Sequence, residues 1–117
     1  SLDDAIADIL RDYGDLVYQA TEEGLTAAEK VLISELKATS PKDSGDYAKS
    51  WKSKGRRYKL KRYVGNTKTA RRKTTEIPFS HIMEYSTNSP HQGLIKRTYA
   101  NATQKMAQAV VDKIKNA

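Results

Sequence analysis

The feature that most constrains the fold is a helical pattern that fills the first third of the chain and ends at a proline. Apolar side chains recur there at the 4-3-4-3-4 spacing that aligns them along one face of an α-helix. They are Leu2, Ile6, Ile9, Tyr13, Leu16 and Ala20. Ser1 can cap the first turn, and Asp3 and Asp4 lie where the helix dipole favours anions. Because a residue before proline is pushed out of the α region, Ser40-Pro41 predicts the end of the helix.

The apolar stripe changes phase after residue 20, and two interpretations fit that change. The later apolar residues are Leu25, Ala28, Val31, Leu32 and Leu36. Gly24 could end a first helix, with "TAAE" (residues 26–29) as the capping box of a second. Alternatively, one long helix spans residues 1–39, with a kink near residue 24 left open. We favour the long helix, which would measure about 55 Å at 1.5 Å per residue. A domain of this size cannot cover such a helix, so part of it would project or pack on another subunit.

Residues 40–52, "SPKDSGDYAKSWK", predict a reversal of the chain. The proline stops the helix, and Asp, Ser and Gly are the usual turn formers. Ser44 can also cap a short helical turn in "GDYAKSW". We therefore predict a structural turn made by Pro41, Asp43, Ser44 and Gly45, after which the chain enters a sheet at Trp51.

The remaining segments predict an α+β fold. "YKLKRYV" (residues 58–64) alternates as a strand does, and with a turn at Gly55 it predicts a β-hairpin over residues 50–65. Residues 66–76 contain no apolar residue larger than alanine and are predicted to be a flexible basic loop. A short helix over residues 78–85 and a C-terminal helix over residues 93–115 follow. The predicted architecture is a single domain, residues 1–117, in which the long N-terminal helix and the C-terminal helix pack on a small antiparallel β-sheet, with a short middle helix.

The composition limits the class of protein. Hydrophobic residues make up 38% of the 117 residues, which predicts a thin core or apolar surface buried against a partner. No apolar run of 18 residues and no signal-peptide pattern are present, so we expect neither a membrane span nor export by that route. Cysteine is absent, which excludes disulfides and thiolate metal sites. The net charge of +7 divides into −6 for residues 1–51, +11 for residues 52–75 and +2 for the remainder.

Catalytic signals are weak. His81 and Glu84 are three residues apart and could share a helix face as metal ligands do, but no third ligand follows at a recognisable spacing. The simpler interpretation is that His81 borders the core and Glu84 is a surface or interface acid. Neither a nucleophile turn nor a glycine-rich phosphate loop is present. We therefore expect no catalytic residue, no cofactor and no metal.

The basic middle of the chain has three interpretations. It could bind nucleic acid through cations interleaved with Trp51, Tyr58 and Tyr63, although no known binding motif accompanies them. It could instead be a solvated sheet face over a core that uses the aromatic residues. It could also contact the acidic part of a neighbouring subunit. The candidate contact surface comprises Arg56, Arg57, Lys59, Lys61, Arg62, Lys68, Arg71, Arg72 and Lys73.

The order of the motifs resembles one family. A long first helix precedes "SPKDSGDYAKSW", a strand ending in "YVGN", the segment "IPFSHIMEYST" and a last helix opened by "GLIKRTY". This order resembles the head–tail connector or minor tail-component family of long-tailed double-stranded DNA phages. The positions that match the family's motifs are Pro41, Asp43, Ser44, Gly45, Ser50, Val64, Gly65, Phe79, His81, Glu84, Tyr85 and Thr87.

The resemblance implies a structural virion protein of the phage neck or tail top, assembled in the host cytoplasm. Such a protein forms an oligomeric ring of six or twelve copies that joins head to tail or completes the tail. Its partners would be other neck, portal-adaptor and tail proteins, close to genomic DNA and away from any membrane. Leu2, Ile6, Ile9 and Tyr13 are then the candidate intersubunit helix face, with the protomer core as the alternative place for them. A nucleic-acid-binding accessory protein that uses residues 51–73 is the alternative function.

Overall fold

The computed structural model describes residues 1–43, 45–55 and 59–117, and of Arg72 the backbone alone. Four helices and four short strands follow one another in the described part of the chain. Their order is α1 (Leu2–Thr39), α2 (Asp46–Lys49), β1 (Trp51–Ser53), β2 (Val64–Asn66), β3 (Thr69–Arg72), β4 (Thr75–Pro78), α3 (Phe79–Tyr85) and α4 (Leu94–Lys115). The predicted α+β class is confirmed.

Helix α1 runs through 38 residues without interruption. Its first turn is capped by Ser1, whose hydroxyl accepts a hydrogen bond from the amide of Asp4 at 3.3 Å. At its other end Ser40 has extended backbone angles, as the following proline requires. Gly24 therefore does not end a helix; it is buried where α1 meets α4.

The main packing in the molecule is the antiparallel pair of α1 and α4. A Cβ placed on Gly24 would come within 2.9 Å of the Cα of Val110, and the hydroxyls of Thr39 and Thr98 lie 3.0 Å apart. Residues later in α1 thus contact residues earlier in α4, as expected for an antiparallel pair. The first buried residue of α1 is Ala20, so the part before it extends past the end of α4. The molecule measures 70 × 30 × 22 Å, and its radius of gyration of 19.3 Å is well above the roughly 13 Å of a compact domain this long.

The core lies at the other end of α1, where the chain reverses. Leu36, Tyr47 and Trp51 are its buried centre, and the tyrosine ring makes edge-to-face contacts with Trp51 at 5.6 Å and Phe79 at 5.2 Å. The indole Nε1–H of Trp51 donates to the hydroxyl of Ser40 at 2.8 Å, which connects the end of α1 to the start of the sheet. The predicted entry of the chain into a sheet at Trp51 is confirmed.

The strands form two sheets rather than one. Strands β1 and β2 pair antiparallel, with Trp51 opposite Asn66, and strands β3 and β4 form a separate hairpin. Of residues 59–64, the described part of the predicted strand "YKLKRYV", Val64 alone lies in a strand and residues 59–63 are turn or irregular; Tyr58 lies outside the described residues. Alternation failed as a signal there because Leu60 and Tyr63 are 45% and 46% exposed and do not define a buried face.

The prediction of a flexible loop over residues 66–76 is wrong. Asn66 is the buried last residue of β2, and β3 and β4 fill most of the remainder. Their apolar cross-strand pair is Ala70 and Ile77, both partly buried, and the hairpin packs on α3. Ile77 lies just beyond residues 66–76, so that segment by itself shows no apolar face from which a strand could be predicted. Threonine is moreover a good strand former.

Candidate interaction surfaces

The first surface is the free end of α1, residues 2–19, which we call the arm. Within the described part of the chain, all of its side chains are exposed except Val17, which is half-buried. The predicted helix face is here: Leu2 is 75% exposed, Ile9 66% and Tyr13 66%, and Ile6 is exposed as well. The alternative that these four residues line the protomer core is therefore wrong. An apolar stripe of this length outside the fold is unusual for a monomer.

The arm is also acidic. It carries five aspartates against the single cation Arg11, whose guanidinium pairs with Asp8 at 2.8 Å. The aspartates are Asp3, Asp4, Asp8, Asp12 and Asp15. Two such arms lying side by side would repel each other, so the charge favours a basic surface as the neighbour of the stripe.

The second surface is basic, and it is smaller than predicted. Lys59 and Lys61 are exposed beside the body of the fold, and Arg71 and Lys73 are exposed on the hairpin of β3 and β4. Lys73 occupies the hairpin turn with a φ of 56°, in the left-handed region that non-glycine residues rarely adopt. Arg56 and Arg57 lie outside the described residues, as does the side chain of Arg72.

Two of the predicted contact cations make contacts within the fold. The guanidinium of Arg62 is half-buried; it donates to the carbonyl of Glu22 at 3.2 Å and to the hydroxyl of Thr26, and so attaches the segment before β2 to α1. Lys68 forms an ion pair with Asp46 at 3.7 Å and lies 5.9 Å from the centre of the Phe79 ring. The sequence could not distinguish these two from their exposed neighbours.

The third feature is a cavity of about 590 Å³ between α1, β2, α3 and α4. Most of its wall is apolar, contributed by residues such as Leu32 and Met106. Glu29, in the same wall, is only 6% exposed, and its Oε2 has no hydrogen-bond partner among the described residues. Nothing in the sequence points to this cavity, because Glu29 fits the last position of the capping-box pattern "TAAE" there.

Glu84 has a different role from either one predicted. It is buried, and its two carboxylate oxygens accept hydrogen bonds from the amides of Ile95 at 2.7 Å and Lys96 at 3.0 Å, the first turn of α4. It is thus a capping acid supplied by α3, where a negative charge also complements the helix dipole. His81 is exposed rather than at the core border, and its ring contacts that of Tyr85 at 5.9 Å.

The predicted turn residues stand between α1 and α2. Gly45 adopts a φ of +81° before α2, which explains the glycine, while Pro41 is half-buried and Asp43 exposed. Ser44, predicted to cap α2, lies outside the described residues.

The buried tyrosine of the core has a shifted pKa. Burial and then the negative charge of Glu84 raise the pKa of Tyr47 to about 12.

Within residues 1–43, 45–55 and 59–117, no group of three or more His, Asp or Glu side chains is placed to hold a metal ion. No helix in the same ranges has the length and apolarity needed to cross a membrane. Comparison of the chain with protein-family models, with curated proteins and with solved structures finds no match.

Proposed function

We propose that this chain is a structural virion protein of the phage neck or tail top, which assembles as a ring that joins head to tail or completes the tail. It acts through its surfaces and is not an enzyme. The proposal begins from the order of the sequence motifs. The structural observation that carries it is the arm, because an apolar stripe outside the protomer needs a partner to remove it from water.

The charge distribution supports head-to-tail contacts between identical copies. The arm is acidic, whereas the hairpin of β3 and β4 and the segment around Lys59 and Lys61 expose cations. In a ring each subunit presents one surface to the neighbour on its left and a different one to the neighbour on its right. An acidic, apolar arm and a basic second surface on one chain meet that requirement.

The deciding experiment is the composition of purified particles from the phage that encodes the chain. Mass spectrometry of virions should detect the protein in a small fixed number of copies per particle, and labelled antibody should bind at the junction of head and tail. Deletion of its gene should leave heads and tails unjoined. Purified virions that lack the protein would overturn the proposal.

The contribution of the arm can be tested separately. Ile9→Asp places a charge on the stripe and should abolish complementation of the deletion, because the neighbouring surface would have to bury it. Ala7→Asp introduces the same charge on the opposite side of the helix and should complement. Both variants should keep the circular dichroism and melting temperature of the parent chain, since both positions are exposed. Complementation by Ile9→Asp would show that the stripe is not an interface.

The alternative, a nucleic-acid-binding accessory protein, is favoured by the exposed cations Lys59, Lys61, Arg71 and Lys73. Binding to DNA through roughly six to ten phosphate contacts predicts a log–log salt slope on the order of −5 to −9. The internal contacts of Arg62 and Lys68 reduce the number of cations available for it. A shallow slope, or unchanged binding after Arg71→Gln and Lys73→Gln, would exclude this function.

A further inference from the structure

The wall of the cavity contains a buried carboxylate oxygen that lacks a hydrogen-bond donor. Glu29 is more than nine-tenths buried, and its Oε2 is sealed from solvent without a donor among the described residues. A buried carboxylate oxygen with no hydrogen bond is costly to keep, because it has lost its water and gained nothing in return. Natural folds rarely retain such a group without a use for it.

Two other polar side chains in the wall, those of Asn66 and Arg62, are already engaged in hydrogen bonds. The side-chain amide of Asn66 donates to the carbonyl of Tyr47 at 2.7 Å, and its oxygen accepts from the amide of Lys68 at 2.9 Å. The guanidinium of Arg62, which also lines the cavity, donates to α1 and to the carbonyl of Lys59 at 2.6 Å. The carboxylate of Glu29, by contrast, has a buried acceptor oxygen with capacity left for a ligand.

The cavity is also lined with aromatic rings. Tyr63, Tyr85 and Tyr99 all contribute to its wall and are 46%, 73% and 53% exposed, so each has free ring surface. A cavity whose wall contains a carboxylate, tyrosine rings and aliphatic side chains is an environment that can recognise an ammonium or guanidinium group on an apolar stem. Low local polarity strengthens such an ion pair once water has been displaced.

We propose that this cavity is the receptor for a cationic side chain, Arg71 or Lys73, of the hairpin in a second copy of the chain. The hairpin presents both cations to solvent, and their positive charge is complementary to the buried carboxylate of Glu29. The arm fits less well as the occupant, because it would bring aspartates towards Glu29. The choice of a second copy rests on the proposed ring; the preference of the cavity for a cation does not.

The ligand class is tested first with small probes on the purified full-length chain. Titration with n-butylguanidinium should shift the NMR signals of the Trp51 indole N–H and the Gly65 amide, two residues in the cavity wall. The neutral analogue n-butylurea, which has the same size and stem, and the anion valerate should bind much more weakly. Equal binding of all three probes, or no binding of the guanidinium, would overturn the proposal.

Two variants test whether the side chains of Glu29 and Tyr99 bind the guanidinium group. Glu29→Gln keeps the size of the side chain and should weaken guanidinium binding roughly tenfold, as loss of a charged hydrogen bond does. Tyr99→Leu keeps the apolar surface but removes the ring, and should weaken binding about threefold. Because Tyr99 is exposed, Tyr99→Leu should fold, and its affinity for the guanidinium can be measured even if Glu29→Gln unfolds the chain. Unchanged affinity in folded Glu29→Gln, or in Tyr99→Leu if the first variant unfolds, would contradict the proposal.

The identity of the occupant is tested by photo-crosslinking between differently isotope-labelled copies at high concentration. A crosslinker at position 73 should join peptides of both labels, with products at Tyr63 or Tyr99, and Glu29→Gln should reduce their yield. A crosslinker at position 9 is the matched probe for the arm. Products from position 9 in the cavity, or no mixed-label product from position 73, would overturn the assignment to the hairpin.

The cation site and the proposed function can fail separately. If the protein binds guanidinium but is absent from virions, the proposed function is refuted and the cation site is still supported.

Discussion

The backbone of Gly24 in α1 lies directly against Val110 in α4, so closely that a Cβ on the glycine would be 2.9 Å from the valine Cα. Glycine is costly in the middle of a helix, and here it permits the two longest helices to touch. The contact lies one helical turn after Ala20, the first buried residue of α1, where the arm joins the body of the molecule.

Gly24→Ala should therefore destabilise the protein by about 1–3 kcal/mol, because either helix must move to make room. The matched control is Gly14→Ala in the arm, where nothing lies within 4 Å of the added Cβ. There the better helix propensity of alanine should leave stability unchanged or raise it by up to about 1 kcal/mol. Urea denaturation of both variants measures the difference. Equal effects would mean that the helices are not in close contact at Gly24.

Glu84→Ala should cost about 2 kcal/mol or more, because it removes the cap of α4 and leaves a cavity at a buried position. Glu84→Gln retains one acceptor oxygen but loses the charge, so it should fall between the parent chain and Glu84→Ala. Glu76→Gln removes an exposed carboxylate from β4 and serves as the control. Thermal melting compares the three, and a Glu84→Ala variant as stable as Glu76→Gln would rule out the capping role.

Ser40→Ala should destabilise the core by about 1–3 kcal/mol, since the buried indole N–H of Trp51 would lose its acceptor. Trp51 is the only tryptophan in the chain, so its fluorescence reports unfolding directly. Ser34→Ala, at an exposed position of α1, should change stability little and serves as the control. If the two serine variants unfold at the same urea concentration, the hydrogen bond does not contribute.

Ionisation of Tyr47 should lower the free energy of unfolding at alkaline pH. Its pKa is raised from the ordinary tyrosine value of 10.0 to about 12 in the fold, so the unfolded chain releases this proton first. Its contribution to stability is complete below pH 10 and is lost as the pH rises towards 12. The difference in unfolding free energy between the parent and Tyr47→Phe should therefore shrink over that interval. A difference for Tyr47→Phe that does not vary with pH would contradict the assignment.

The sequence located most of the helices because their signals are local. Ser1 and Ser40-Pro41 mark the ends of α1 through the backbone geometry of a few neighbouring residues, and the apolar stripe follows from spacing alone. Likewise, α4 begins at Leu94 after Gly93, close to the expected position. The excess length of α1 already implied that part of it would lie outside the body.

Tertiary structure alone decided which charged residues are used inside the fold and which remain for partners. Glu29, Arg62 and Glu84 look like surface residues in sequence, yet each is buried or half-buried through contacts with distant segments. The hairpin of β3 and β4 likewise depends on Ala70 meeting Ile77 across the turn. Helix ends depend on interactions within one turn, whereas burial and pairing depend on residues brought together by the whole fold. The sequence therefore determined the arm, and the packing of α1, α3 and α4 determined the cavity.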